Sequence, residues 1–200
     1  MITALRAAQF CAAAYDPASA WLARWETEDV HVFLAEAEGD LVIVHRGTDP
    51  ADLADWLADC DLVVTQDPIV GPVLFHEIIE VRRDIFRRVV GHSVVVTGHS
   101  KGGAEAQALA GFLVAVGVKV AQLETFGTPK LISTGNTRLP ALLGTLAGQD
   151  YRHGGDPVPL LPLGFAHPRA VEQLAPARLE WPSDAIVDHE IANYIAALDS

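Results

Sequence analysis

Apolar residues recur along this 200-residue chain with two different spacings, and the change from one to the other outlines the fold. Between residues 74 and 89 the apolar positions Leu74, Ile78, Val81, Ile85 and Val89 fall every three or four residues. That spacing predicts an amphipathic helix, closed by Gly91. Residues 93 to 97 follow as a short β-branched run, as expected of a strand covered on both faces. A second helix is predicted from about 102 to 116, closed by Gly117, and then another strand from 119 to 126. Strand, helix, strand in this rhythm is a βαβ unit and implies a parallel sheet.

Upstream, residues 3 to 15 are Ala-rich and predict a helix, with Thr3 as its cap and Pro17 beyond its end. Residues 30 to 37 and 41 to 45 read as two strands, joined through Glu38, Gly39 and Asp40 as a hairpin. Leu53, Trp56 and Leu57 give residues 50 to 60 the spacing of a short helix. After Pro129 the pattern weakens. A short helix is expected from 139 to 146 and a strand from 150 to 153 ending at Gly154 and Gly155. Prolines at 157, 159, 162 and 168 argue against regular structure there. In the tail, from His189 to Leu198, Ile191, Tyr194, Ile195 and Leu198 share one helical face. The expectation is one α/β domain over residues 1 to 200, with a mostly parallel sheet flanked by helices and an antiparallel hairpin near its start.

Half of the residues are apolar and a fifth are charged, which excludes general disorder. The net charge of −12 argues against nucleic acid and anionic membrane surfaces as partners. Arg82, Arg83, Arg87 and Arg88 are interleaved with Glu77, Glu80 and Asp84 and read as a solvated helix face. The two cysteines, Cys11 and Cys60, read as free buried thiols of a reducing compartment. The opening residues lack a signal-peptide layout, and no apolar run approaches the ~18 residues of a membrane span. A cytoplasmic protein without stable membrane insertion is therefore expected, with export by another route left open. His31, His45, His76 and His92 have no metal-ligand spacing, and neither metal nor organic cofactor is expected.

The strongest chemical signal is Gly98-His99-Ser100-Lys101-Gly102-Gly103. It carries the G-x-S-x-G pattern directly after a buried strand and directly before a helix. A serine on such a turn is held at a strained backbone angle with its hydroxyl above the sheet. Glycines two positions to either side avoid Cβ collisions with the neighbouring elements. The Lys101 N–H then lies at a helix N-terminus, where it can face a developing oxyanion. His99 is expected to pack or hydrogen-bond beneath the turn.

With these blocks in view the sequence resembles the class 3 lipases, the fungal triacylglycerol lipase type of α/β hydrolase. The ordered pieces are residues 42 to 48 (Val-Ile-Val-His-Arg-Gly-Thr), 55 to 59, 95 to 103, 125 to 129, 155 to 162, 164 to 168 and 187 to 189. The resemblance implies Asp156 as triad acid and His189 as triad base. It implies Thr48 as donor of the first oxyanion N–H, with its hydroxyl alongside, and Lys101 as donor of the second. It also implies a lid near residues 49 to 58. Because Asp49, Asp52, Asp55 and Asp59 suit solvent better than lipid, a short or fixed lid is expected. The chain departs from the family at Lys101, usually apolar, and at residues 73 to 76, where His-x-Gly-Phe is usual.

The residue chemistry runs parallel to the resemblance. A serine hydroxyl needs a base, and the base a carboxylate, in the chain order Ser, acid, His. Downstream histidines are His153, His167 and His189. His153 lies too close to Asp156 for a late base, and His167 sits among prolines. For the acid, Asp156 follows a strand and two glycines, with Asp150, Asp184 and Asp188 as alternatives. The expected activity is two-step acyl transfer from a small-molecule ester or lipid to water. The alternatives are a phospholipase or thioesterase, or a catalytically silent scaffold that binds a ligand or partner.

Overall fold

A computed structural model describes residues 1–48, 64–74, 78–176 and 187–200. Its centre is a seven-stranded sheet in the order β1-β2-β3-β6-β7-β9-β11. The strands are β1 (Ala23–Glu26), β2 (His31–Ala37), β3 (Asp40–Arg46), β6 (Ser93–His99), β7 (Lys119–Phe126), β9 (Asp150–Arg152) and β11 (Val171–Gln173). The first three are antiparallel neighbours; from β3 onward every pairing is parallel. The hairpin turn puts Glu38 and Gly39 at φ 53° and 83°, the left-handed geometry of a tight two-residue turn.

Alternation along the central strands builds two cores. Ile43, Val94 and Val96 face one layer, and Val42, Val44 and Val95 face the other. The first layer holds helix α2 (Ile78–Val89) and helix α3 (Lys101–Ala115), which follows β6 directly. The second holds helix α1 (Ala4–Ala13) and the C-terminal helix α5 (Ile191–Leu198). Thr3 caps α1, its hydroxyl accepting from the Arg6 N–H at 3.1 Å. Cys11 on α1 is a free buried thiol 3.3 Å from the Thr97 hydroxyl, and burial pushes its pKa up to about 12. Helix α3 is buried from Gly102 through Leu113, and its many small residues let it lie close to the sheet.

Several expectations need correction. The amphipathic helix does not reach back to Leu74. That residue follows β5 (Gly71–Val73), where its N–H donates to the Leu131 carbonyl, so its apolar spacing serves a strand end. Arg82 is not simply solvated: it pairs with buried Asp67 and lies 4.7 Å over the Phe112 ring. The proline-rich segment contains a single 3-10 turn, Val158–Leu160, because the N–H groups it needs belong to Leu160 and Leu161 rather than to proline. A small second sheet, β10-β8-β5-β4, joins β4 (Thr65–Asp67) and β5 to β8 (Ile132–Ser133) and β10 (Phe165–Ala166). A short helix α4 (Arg138–Leu143) follows β8. The tail helix begins at Ile191, with Glu190 as its N-cap, so His189 lies just ahead of it.

Candidate active site

Ser100 stands at the junction of β6 and α3 with φ 59° and ψ −135°. A non-glycine residue there costs on the order of 1–3 kcal/mol, so the surroundings must hold it. They do so through its own backbone: the Ser100 N–H donates to the Phe126 carbonyl at 2.9 Å, and its carbonyl accepts from Gly103 at 2.9 Å. The flanking glycines are sterically required. A Cβ at Gly98 would come within 2.4 Å of the Gly102 carbonyl oxygen. One at Gly102 would come within 2.6 Å of the His45 carbonyl oxygen, on the neighbouring strand.

Two other segments converge on this turn. Beyond β9, the turn at Gly154 and Gly155 delivers Asp156, which is fully buried. Its Oδ1 accepts from the Val158 N–H at 2.9 Å. Its Oδ2 accepts from His189 Nδ1 at 2.8 Å and from the Tyr194 hydroxyl at 2.5 Å. Bonding to a carboxylate puts the imidazole proton on Nδ1 and leaves the Nε2 lone pair unprotonated. His189 Nε2 and Ser100 Oγ are both buried, and neither has a hydrogen-bond partner among the described residues. Gly127, at φ 60°, makes room for the pair: a Cβ there would lie 2.9 Å from both Asp156 Oδ2 and His189 Nδ1.

The rival sequence candidates are occupied elsewhere. His167 Nε2 donates to the Pro159 carbonyl at 2.7 Å. His153 lies 3.3 Å from Asp188, which also accepts from the Gly155 N–H at 2.6 Å and so braces the loop carrying Asp156. Asp150 is buried between Gln107 and Thr125 and near Arg169, and burial lifts its pKa to about 6. Asp184, His76, Cys60 and the lid segment 49–58 lie outside the described residues.

Thr48 follows β3, and the preceding Gly47 abuts the serine turn: a Cβ on Gly47 would sit 2.7 Å from Ser100 Cβ. The loop carrying Thr48 is thus brought against Ser100, and Lys101 is the first residue of α3. The Lys101 ammonium donates to the Asp29 carbonyl at 3.0 Å and lies 3.7 Å from Glu105, one helical turn on. Glu105 in turn lies 3.5 Å from His45, both side chains being buried. Nothing local in the sequence marks this cluster, because His45 and Glu105 look like an isolated strand histidine and a helix-surface acid. Nor does anything local mark Tyr194 and Tyr15, whose hydroxyls reach the site from α5 and from just beyond α1. Their apolar surroundings in the sequence hid that role. His99, expected to bond beneath the turn, lies between Tyr15 and the His189 carbonyl. Burial first, and the nearby His189 second, hold its pKa down to about 3.

Among the described residues no cluster of three or more His, Cys, Asp or Glu side chains is arranged to hold a metal ion. No described helix is long and apolar enough to cross a membrane.

Residues 73–165 match the class 3 lipase family model, a span that includes Ser100 and Asp156 and bears out the resemblance read from the sequence. No curated protein sequence matches the chain. Among solved structures it is similar to the Rhizomucor miehei triacylglyceride lipase, with TM-score 0.68 and 22% identity over 93% of this chain and 89% of that one. The lipase of Rhizopus microsporus var. chinensis gives TM-score 0.68 and 20% identity, covering 95% of this chain and 84% of that one. A triacylglycerol lipase described as having a serine-protease triad as its catalytic centre gives TM-score 0.69 and 23% identity, covering 93% and 89%. These likenesses establish the α/β-hydrolase fold.

Proposed function

We propose, with a class 3 lipase core as the premise, that this chain is a serine carboxylic-ester hydrolase of the lipase and esterase kind. The observation that carries the reading is His189. Its Nδ1–H is held by a buried carboxylate, its Nε2 lone pair is uncommitted, and it is packed against the turn that strains Ser100. In the proposed reaction Ser100 Oγ attacks the ester carbonyl carbon while His189 Nε2 takes its proton. Asp156 keeps the imidazole in that tautomer and stabilises the imidazolium. The backbone N–H groups of Thr48 and Lys101 receive the oxyanion. The tetrahedral intermediate expels the alcohol, protonated by His189, and leaves an acyl-serine. Water deprotonated by His189 then attacks the acyl carbon and releases the acid.

The substrate class is a lipid or other small carboxylic ester, in keeping with the lipases that the fold resembles. The Lys101 cation does not argue against an apolar acyl group, because it is engaged with the Asp29 carbonyl beside Glu105. The test is hydrolysis of p-nitrophenyl esters from acetate to palmitate by wild type and Ser100→Ala. Wild-type turnover should fall ~10³-fold or more in a folded Ser100→Ala protein, and a fluorophosphonate should label Ser100. Absence of both turnover and labelling in the wild type would overturn the reading.

A further inference from the structure

Beneath the serine turn lies a chain of hydrogen bonds that the acyl-transfer steps do not use. The Gly47 N–H lies 3.2 Å from the Tyr15 hydroxyl oxygen. That hydroxyl lies 2.9 Å from His99 Nδ1, and His99 Nε2 lies 2.8 Å from the His189 carbonyl oxygen. The chemistry of the two ends, with His99 neutral, fixes the protons between them. A backbone N–H only donates, so the Tyr15 oxygen accepts from Gly47. A carbonyl only accepts, so His99 Nε2 carries the imidazole proton. Neutral His99 then has a lone pair at Nδ1, which receives the Tyr15 O–H. The direction runs one way, from the loop that carries Thr48 to the backbone of the base.

We propose that Tyr15 and His99 are positioning residues whose one-way relay sets the Thr48 loop and His189 relative to Ser100. The proposal rests on the hydrolase reading and adds to it two residues that touch no substrate. The tied residues, at positions 15, 47, 99 and 189, come from distant parts of the sequence. Gly47 is in backbone contact with the turn, a Cβ there lying 2.6 Å from the His99 carbonyl oxygen. The His99 ring lies 4.7 Å from the His189 ring and 6.2 Å from the Tyr194 ring, centroid to centroid. A second proton on His99 would leave the Tyr15 hydroxyl facing a donor, so the relay works only with neutral His99. The burial that depresses its basicity agrees with this. Because Nε2 already donates to a carbonyl, His99 is not available as the catalytic base in place of His189.

The experiment is a double-mutant cycle on kcat with p-nitrophenyl esters. Tyr15→Phe deletes the hydroxyl alone. His99→Gln keeps an amide donor near the Nε2 position and loses the Nδ1 acceptor. Each is expected to lower kcat about tenfold with KM changed less than about twofold. The double variant should be no slower than the worse single one, because all three changes break the same link. His99→Leu, which also removes the donor to His189, should fall further, to about a hundredth of the wild-type kcat. Unchanged kcat in both single variants, or effects that multiply in the double, would overturn the relay. A second readout does not depend on turnover. In ¹⁵N-histidine NMR, assigned with His99→Gln, His99 should remain the neutral Nε2–H tautomer from about pH 6 to about pH 8. The Nδ1–H tautomer or a cation in that range would overturn the proposal. If the wild type hydrolyses no ester, the hydrolase reading falls, and the tautomer alone then decides the relay.

Discussion

Neutral His99 has a thermodynamic consequence that can be measured apart from catalysis. Its ordinary pKa is 6.5, and in the fold it is held down to about 3. Between these values the unfolded chain binds a proton that the folded chain refuses, so stability rises with pH across the window. The contribution is complete above about pH 6.5 and is lost as the pH falls below it. At pH 5 the unfolded state gains RT ln(1 + 10^1.5), about 2 kcal/mol, relative to pH 8. The assay is urea unfolding of wild type and His99→Gln at both pH values. Carboxylates and the other histidines titrate in both proteins and cancel in the comparison. The wild type should lose about 2 kcal/mol more than His99→Gln on going from pH 8 to pH 5. Equal losses would refute the argument, since His99 would then be protonated as easily in the fold as in the open chain.

Tyr194→Phe removes one of the donors to Asp156 Oδ2 and should cost about 2 kcal/mol in urea unfolding, with a several-fold fall in kcat. Gly127→Ala drives a methyl group between Asp156 and His189; ester turnover should drop about a hundredfold while circular dichroism stays native. Arg82→Ala strands the buried Asp67 carboxylate and exposes the Phe112 face, and should cost about 3 kcal/mol by denaturant titration without changing KM.

The sheet and its main helices were legible because their signals are local. The β-branched run at residues 93 to 97, the helix spacing from Ile78 to Val89 and the turn at Gly39 each state their geometry within a few positions. What stayed hidden depends on partners far away in the chain. Strand β1 is a four-residue edge strand whose burial alternates along its length, too brief to register as a pattern. The strands of the small sheet run to two or three residues and exist only because residues 65–73 meet 132–133 and 165–166. At the site, the serine turn was readable from its glycines and its flanking elements. The place of Asp156 after a strand and two glycines favoured it only weakly over Asp150, Asp184 and Asp188, since each is a lone acid in the sequence, and the resemblance added the rest. Tyr15 and Tyr194 carried no signal, because a hydroxyl that bonds across the fold looks like one more aromatic on an apolar face.

Helix α3 has a mechanical consequence for Ser100 at its head. It is enclosed along almost its whole length, so it responds to disturbance as a stiff rod rather than by bending locally. At its far end a Cβ on Gly111 would come within 2.4 Å of a Leu139 methyl group. By the rise of an α-helix, that position lies about 16 Å from Ser100. A side chain added there would meet that methyl group first, so the Leu139 side chain rather than the rod is what has to give. At the head the neighbours are backbone atoms of His45 and Arg46, which cannot swing aside, so it is Gly102 that sets the height of the hydroxyl above the sheet.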